Sequence, residues 1–78
     1  MIIVNRNKEL FQLAKDYVML FDLYEKARLD NGEFAEQMDE IRNKVLKGGY
    51  NIDKFVWYQE LYREMTIAEY YEFLKTLD

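Results

Sequence analysis

Residues Lys8 to Leu29 read KELFQLAKDYVMLFDLYEKARL, and their apolar side chains recur at alternating spacings of three and four. That spacing places the apolar side chains on one face of an α-helix. A second apolar row lies beside the first, so the combined face is wider than the seam of a coiled coil and predicts a helix packed against two neighbours. The first row is Leu10, Leu13, Tyr17, Leu20, Tyr24 and Ala27, and the second is Phe11, Ala14, Val18 and Phe21.

Turn and capping signals divide the rest of the chain into shorter helical segments. The dipeptide Asn31-Gly32 predicts a turn, and Gly48 with its glycine neighbour predicts another. The sequence from Thr66 to Glu69 has the form of a capping box, which predicts the start of a further helix. The sequence therefore predicts an all-α fold, a compact single-domain bundle of three to four helices over about 8–29, 33–47, 52–65 and 67–77.

The helical phase of each shorter segment predicts which side chains face the core. In the second segment these are Phe34, Met38, Ile41, Val45 and Leu46. In the third they are Phe55, Tyr58, Tyr62 and Met65, and in the fourth they are Ile67, Tyr70, Leu74 and Leu77.

Length and composition favour one soluble domain. The chain has 78 residues, of which 50% are hydrophobic and 17% aromatic, so residues 1–78 are expected to form a single core. Residues 1–6 are expected to form a short extended arm. The apolar start of this arm, Met1–Val4, is too short for a signal peptide or a membrane span. The lack of cysteine excludes disulfides and thiolate metal sites and favours the cytoplasm.

The absence of histidine, serine and cysteine removes the usual catalytic nucleophiles and bases. Histidine is the side chain whose unperturbed pKa lies nearest neutrality, and di-iron helical bundles use a Glu-x-x-His pattern that this chain lacks. Gly48-Gly49 is followed by no Lys-Ser/Thr pair, so no phosphate-binding loop is predicted. The sequence therefore predicts a protein that is not an enzyme and that holds no cofactor or metal.

Aromatic side chains are concentrated between Tyr50 and Phe73. Four short helices have limited room for so many rings, and Tyr and Trp are enriched in protein interfaces. We therefore expect a non-catalytic protein-binding module, an inhibitor or adaptor that docks an aromatic and acidic face on a larger partner, such as a protein whose basic surface handles nucleic acid. In size, acidity and aromatic content the chain is similar to small helical inhibitors and adaptors encoded by phages and mobile elements. The candidate binding residues are Trp57, Tyr58, Glu60, Tyr62, Glu64, Tyr71 and Glu72.

Two alternatives remain open on sequence grounds. The same face can close a homodimer, which makes the chain a self-associating assembly protein. A helix-turn-helix regulator is the second alternative, although the net charge of −4 disfavours binding to phosphates. Its nucleic-acid-binding residues would be Arg42, Lys44, Lys47 and Lys54.

Overall fold

Four α-helices make up the part of the chain that the structure describes. It is a computed structural model, and it describes residues 6–27 and 32–77. The predicted all-α bundle is confirmed. In chain order the helices are α1 (Arg6–Lys26), α2 (Glu33–Lys47), α3 (Ile52–Glu64) and α4 (Ile67–Thr76).

The first helix begins at Arg6, so the prediction of an extended arm is wrong at that residue. The Arg6 guanidinium donates to the carbonyl of Gly48 and lies 4.3 Å from the centre of the Tyr50 ring. On the next residue, the Asn7 side chain accepts from Lys54 Nζ at 2.8 Å. These tertiary contacts hold the first turn against the α2–α3 turn. Residues 1–5 of the predicted arm, and residues 28–29 of the predicted first helix, lie outside the described residues.

Local side-chain chemistry fixes where α3 and α4 begin. The Asn51 side chain accepts from the amide of Lys54 at 3.1 Å and caps α3. Met65 is extended, with φ −87° and ψ 144°, and ends α3. The predicted capping box is present: the Thr66 hydroxyl accepts from the amide of Glu69 at 3.2 Å, and the Glu69 carboxylate accepts from the amide of Thr66 at 3.3 Å.

The central helix α1 packs against both α2 and α3, which make few contacts with each other. The start of α1 lies at the α2–α3 turn, while Asp22 near its end bonds to Arg63 at the end of α3. The second helix is therefore antiparallel to α1, whereas α3 is parallel to α1. The backbone of α4 stands apart from the other helices, and its contacts are made through large side chains.

The core is built around the Phe11 ring, which is fully buried. The ring centres of Tyr58, Tyr70 and Phe73 lie 5.3, 5.5 and 4.9 Å from that of Phe11. Such tilted and edge-to-face pairs contribute about 0.5–1.5 kcal/mol each beyond the area that they bury. The buried cluster contains Leu10, Phe11, Ala14, Ile41, Val45, Phe55 and Tyr58.

Besides Tyr24, which is 43% exposed near the end of α1, two side chains that were predicted to face the core are exposed. Leu46 is 59% exposed and Ile67 is 79% exposed. Leu46 lies in the last turn of α2, on the side that faces the opening between α2 and α3. Ile67 is the first residue of α4 and lies directly after its cap, where no neighbouring helix covers it. Both errors come from helix ends, where the packing partner and not the apolar spacing decides burial.

Within residues 6–27 and 32–77, no helix combines the length and the hydropathy that crossing a bilayer requires.

Candidate protein-binding surfaces

The predicted aromatic and acidic face does not exist as one surface, because Tyr58 belongs to the core. Its side chain is 1% exposed and packs against the rings of Phe11 and Phe73, whose centres lie 5.3 and 6.1 Å from its own. The Lys54 ammonium lies 5.6 Å from the Tyr58 ring centre. A side chain enclosed in this way cannot touch a partner, so Tyr58 is removed from the candidate binding residues.

Three of the other predicted residues on α3 share a solvent-facing stripe. Trp57, Glu60 and Glu64 are exposed and follow one another at helical spacing. The Trp57 ring is 51% exposed and stacks on Tyr58 at a centre distance of 5.3 Å. This stripe therefore offers one apolar ring and two carboxylates.

The predicted residues on α4, together with Tyr62, lie away from that stripe. Tyr62 is half-buried and packs edge-on against Tyr70 at 5.6 Å. Glu72 is exposed, with Lys75 Nζ 3.9 Å from its carboxylate. Tyr71 is exposed and lines a cleft that does not include Trp57. The structure thus divides the predicted face between two surfaces and the core.

A cleft of about 440 Å³ lies between α1 and the junction of α3 with α4. Three large apolar side chains stand exposed around it: Met19 at 49%, Ile67 at 79% and Tyr71 at 59%. Its floor includes the buried Val18. The complete lining is Lys15, Val18, Met19, Asp22, Tyr62, Arg63, Met65, Thr66, Ile67, Tyr70 and Tyr71.

Two cations and one acid lie in the wall of this cleft. Arg63 Nη1 lies 3.2 Å from the Asp22 carboxylate. Lys15 Nζ lies 5.4 Å from the centre of the Tyr70 ring and 3.8 Å from Asp16. Burial by itself lowers the pKa of Lys15, but the neighbouring Tyr70, followed by Asp16 and Tyr62, outweighs burial and raises it above 10.5. Lys15 is therefore charged throughout the physiological range.

A second, narrower groove of about 350 Å³ separates α2 from α3. Leu46, Ile52 and Val56 are each about half exposed along it. Its remaining lining is Tyr17, Arg42, Val45, Phe55 and Gln59. The groove exists because α2 and α3 both pack on α1 and diverge from each other.

The four basic residues of the nucleic-acid alternative are not brought together on one face. Arg42 lines the α2–α3 groove and bonds to the carboxylate of Asp39. Lys44 instead lines a groove between α1 and α2, and Lys47 is exposed in the last turn of α2. Lys54 donates to Asn7 and lies over the Tyr58 ring. The helix-turn-helix alternative stays a prediction that gains no geometric support from these positions.

The described residues also contain no group of three acidic side chains placed to hold a metal ion.

Sequence reasoning missed the residues that give the cleft its character, Lys15, Met19, Arg63 and Ile67. One usable signal was present. Met19 is a large apolar side chain that belongs to neither apolar row of α1, and it has Lys15 and Asp22 as neighbours at helical spacing. An apolar residue outside the predicted core face is expected at the surface, and it indicates a contact only when other exposed apolar side chains lie beside it.

Comparison with known proteins gives no match: no family model, no curated protein and no solved structure is similar to the chain. The function of the chain is therefore inferred from its own surfaces.

Proposed function

We propose that this chain is a non-catalytic protein-binding module, an inhibitor or adaptor of a larger protein in the cytoplasm, and that the cleft between α1, α3 and α4 is its docking surface. The observation that carries the proposal is the exposure of Met19, Ile67 and Tyr71 around that one concavity. Isolated exposed apolar residues are ordinary, whereas a contiguous group around a cleft is typical of an interaction site.

The composition of the cleft supports a protein partner. Tyr, Met and Arg are the residue types enriched in the buried centre of protein interfaces, and Tyr71, Met19 and Arg63 all line the cleft. Each Å² of apolar surface that a partner covers contributes roughly 25 cal/mol. Ile67 and Tyr71 are therefore the expected anchors, since they have the most exposed apolar area to lose.

Affinity capture with matched variants tests this proposal. The cleft variant is Ile67→Glu with Tyr71→Ala, and the control is Leu46→Glu with Val56→Ala, the same type of change on exposed residues of the α2–α3 groove. We expect the cleft variant to lose the proteins that the wild type captures from its own cells, with at least about a tenfold loss of affinity. The control is expected to retain them.

Circular dichroism of both variants establishes that any loss is not caused by unfolding. If the folded cleft variant keeps every specific partner at unchanged affinity, the cleft is not the docking surface. If only the control loses the partners, docking occurs in the α2–α3 groove instead.

Self-association is the second candidate function, and the α2–α3 groove favours it. Leu46, Ile52 and Val56 form an apolar strip that a second copy can cover in a two-fold arrangement. Sedimentation equilibrium of the wild type and of Val56→Glu distinguishes the two functions. A wild type that remains monomeric at millimolar concentration excludes a homodimer, whereas a dimer abolished by Val56→Glu places its interface in this groove.

A further inference from the structure

We infer that the cleft between α1, α3 and α4 binds a protein segment that carries an aspartate or glutamate next to a large apolar side chain. The inference rests on the proposed function and adds the chemistry of the partner. It also reverses, for this surface, the expectation of a basic partner.

The charge of the cleft opposes that of the chain. The chain as a whole has a net charge of −4, whereas the charged side chains that line the cleft are Lys15, Arg63 and Asp22. The lining therefore has one more cation than acid, and Asp16, 3.8 Å from Lys15 Nζ, lies outside the lining. A cationic concavity on an acidic molecule directs the acidic part of a partner to that place.

Both cations keep hydrogen-bond donors for an incoming carboxylate. The Arg63 guanidinium has five N–H donors, and its contact with Asp22 is a single 3.2 Å bond through Nη1. The distance of 3.8 Å from Lys15 Nζ to Asp16 is longer than a normal hydrogen bond. Each of the two side chains can therefore donate to a carboxylate of a partner.

Lys15 is also placed to interact strongly. Its side chain is 29% exposed, against 45% for Arg63, and Tyr70 covers one side of it. Charges that are partly removed from water are screened less by salt than charges on an open surface. Three exposed apolar side chains lie beside the two cations: Met19, Ile67 and Tyr71. Because a partner has to cover this apolar surface, its carboxylate must be accompanied by an apolar side chain.

The acidic stripe on α3 serves as an internal contrast. Trp57, Glu60 and Glu64 combine an apolar ring with carboxylates, and a partner for that stripe would carry the opposite charge. The cleft and this stripe therefore differ in electrostatic character, and of the two, the cleft is the one expected to select acidic segments.

Selection from a displayed library of random 12-residue peptides tests the inference. The library is selected in parallel on the wild type and on Ile67→Gln, which leaves the charge of the cleft unchanged, and peptides enriched only by the wild type are taken as cleft-dependent. We expect these peptides to be enriched in Asp or Glu adjacent to Leu, Ile, Phe or Trp. Cleft-dependent peptides without acidic enrichment, or enriched in Lys or Arg, overturn the inference but leave the proposed docking surface standing.

Fluorescence anisotropy with the most enriched peptide supplies the second measurement. Lys15→Gln with Arg63→Gln is expected to weaken binding about tenfold, since charge pairs at interfaces contribute at that level. Lys47→Gln with Lys44→Gln, which removes the same charge from α2, is expected to leave binding unchanged. Equal losses in the two double variants would show attraction by total charge alone and overturn the inference. A complete lack of cleft-dependent peptides would overturn both it and the proposed docking surface.

Discussion

Tyr58 shows how a single ring can be assigned to the wrong side of a helix. It was both a member of the predicted inward stripe of α3 and a candidate for partner binding, and the structure places it in the core at 1% exposure. Its ring packs against those of Phe11 and Phe73, so its energetic role is to fill the core. Tyr71, at 59% exposure, is the tyrosine that remains available for docking.

Truncation separates these two tyrosines. Tyr58→Ala is expected to lower the free energy of unfolding by about 3–5 kcal/mol, because it removes a buried aromatic ring and leaves a cavity. Tyr71→Ala is expected to change it by less than about 0.5 kcal/mol, as is usual for exposed residues. Urea titration followed by circular dichroism measures both values. Similar losses in the two variants would mean that Tyr58 is not the packing residue described above.

Ionisation of the Tyr50 hydroxyl is expected to lower the free energy of unfolding at alkaline pH. Burial raises the pKa of Tyr50 above 10.0, the hydrogen bond to Glu9 and its negative charge add to that rise, and Arg6 opposes it. The folded chain therefore holds this proton at a pH where the unfolded chain has lost it. The contribution of the Tyr50 proton to the free energy of unfolding is complete below about pH 10, and it is lost as the pH rises through the pKa of Tyr50 in the folded chain.

Unfolding measured between about pH 9 and 11 checks the sign of this effect. Wild type is expected to lose stability more steeply than Tyr50→Phe, whose ring cannot ionise. The other tyrosines titrate in both proteins, so the difference between the two curves isolates Tyr50. A steeper loss in Tyr50→Phe would show that the pKa of Tyr50 is lowered by folding.

Among the helices, α4 depends most on its own capping. None of the residues Ile67–Thr76 is fully buried, and the helix contacts the core through half-buried side chains such as Tyr70, Phe73 and Leu74. Most helical stability in proteins comes from packing, and a ten-residue helix is marginal without it. The reciprocal bonds between Thr66 and Glu69 therefore have a larger share in holding α4 than capping has elsewhere in the described chain.

Two threonine-to-alanine changes in the same region test the role of this cap. Thr66→Ala is expected to destabilise α4 by about 1 kcal/mol, which speeds hydrogen exchange of its amides about fivefold. Thr76→Ala is the control, because its hydroxyl donates to the carbonyl of Phe73 within the last turn and satisfies no orphan amide. Unchanged exchange in Thr66→Ala, or an equal change in Thr76→Ala, would contradict the assignment.

The elements that sequence reasoning predicted best are those fixed by local chemistry. The Thr66–Glu69 box caps α4 as expected, because its two bonds join groups that are three residues apart. Burial at helix ends was predicted less well. The burial of Leu46 and Ile67 depends on whether another helix covers them. The separation of α2 from α3 and of α4 from the other helices is set by tertiary packing, which the local sequence does not reveal. The cleft was missed for the same reason, since its walls come from three helices.

In the molecule as a whole, α1 holds the other helices together. It contacts α2 along one side and α3 along another, while α2 and α3 scarcely meet. Its residues Leu10, Phe11, Ala14 and Val18 are buried. Opening α1 therefore requires separation of the whole bundle, whereas α4 can detach while the other three helices remain packed.

Native-state hydrogen exchange is expected to rank the helices accordingly. Amides in the buried part of α1 should exchange only through global unfolding, and amides of α4 should exchange through a local opening of lower free energy. Exchange followed by NMR at increasing, sub-denaturing urea concentrations distinguishes the two routes. If α4 amides follow the same urea dependence as those of α1, the bundle opens as one unit and this ranking is wrong.

The position of Trp57 has a practical consequence for spectroscopy. It is the only tryptophan in the chain, it stacks on the buried Tyr58, and it does not line the cleft. Excited tyrosines nearby can transfer energy to it, so its emission should report the disassembly of the aromatic core. Binding of a partner in the cleft should leave the Trp57 emission almost unaltered. Trp57 fluorescence therefore reports whether the chain is folded, and binding has to be followed with an extrinsic dye.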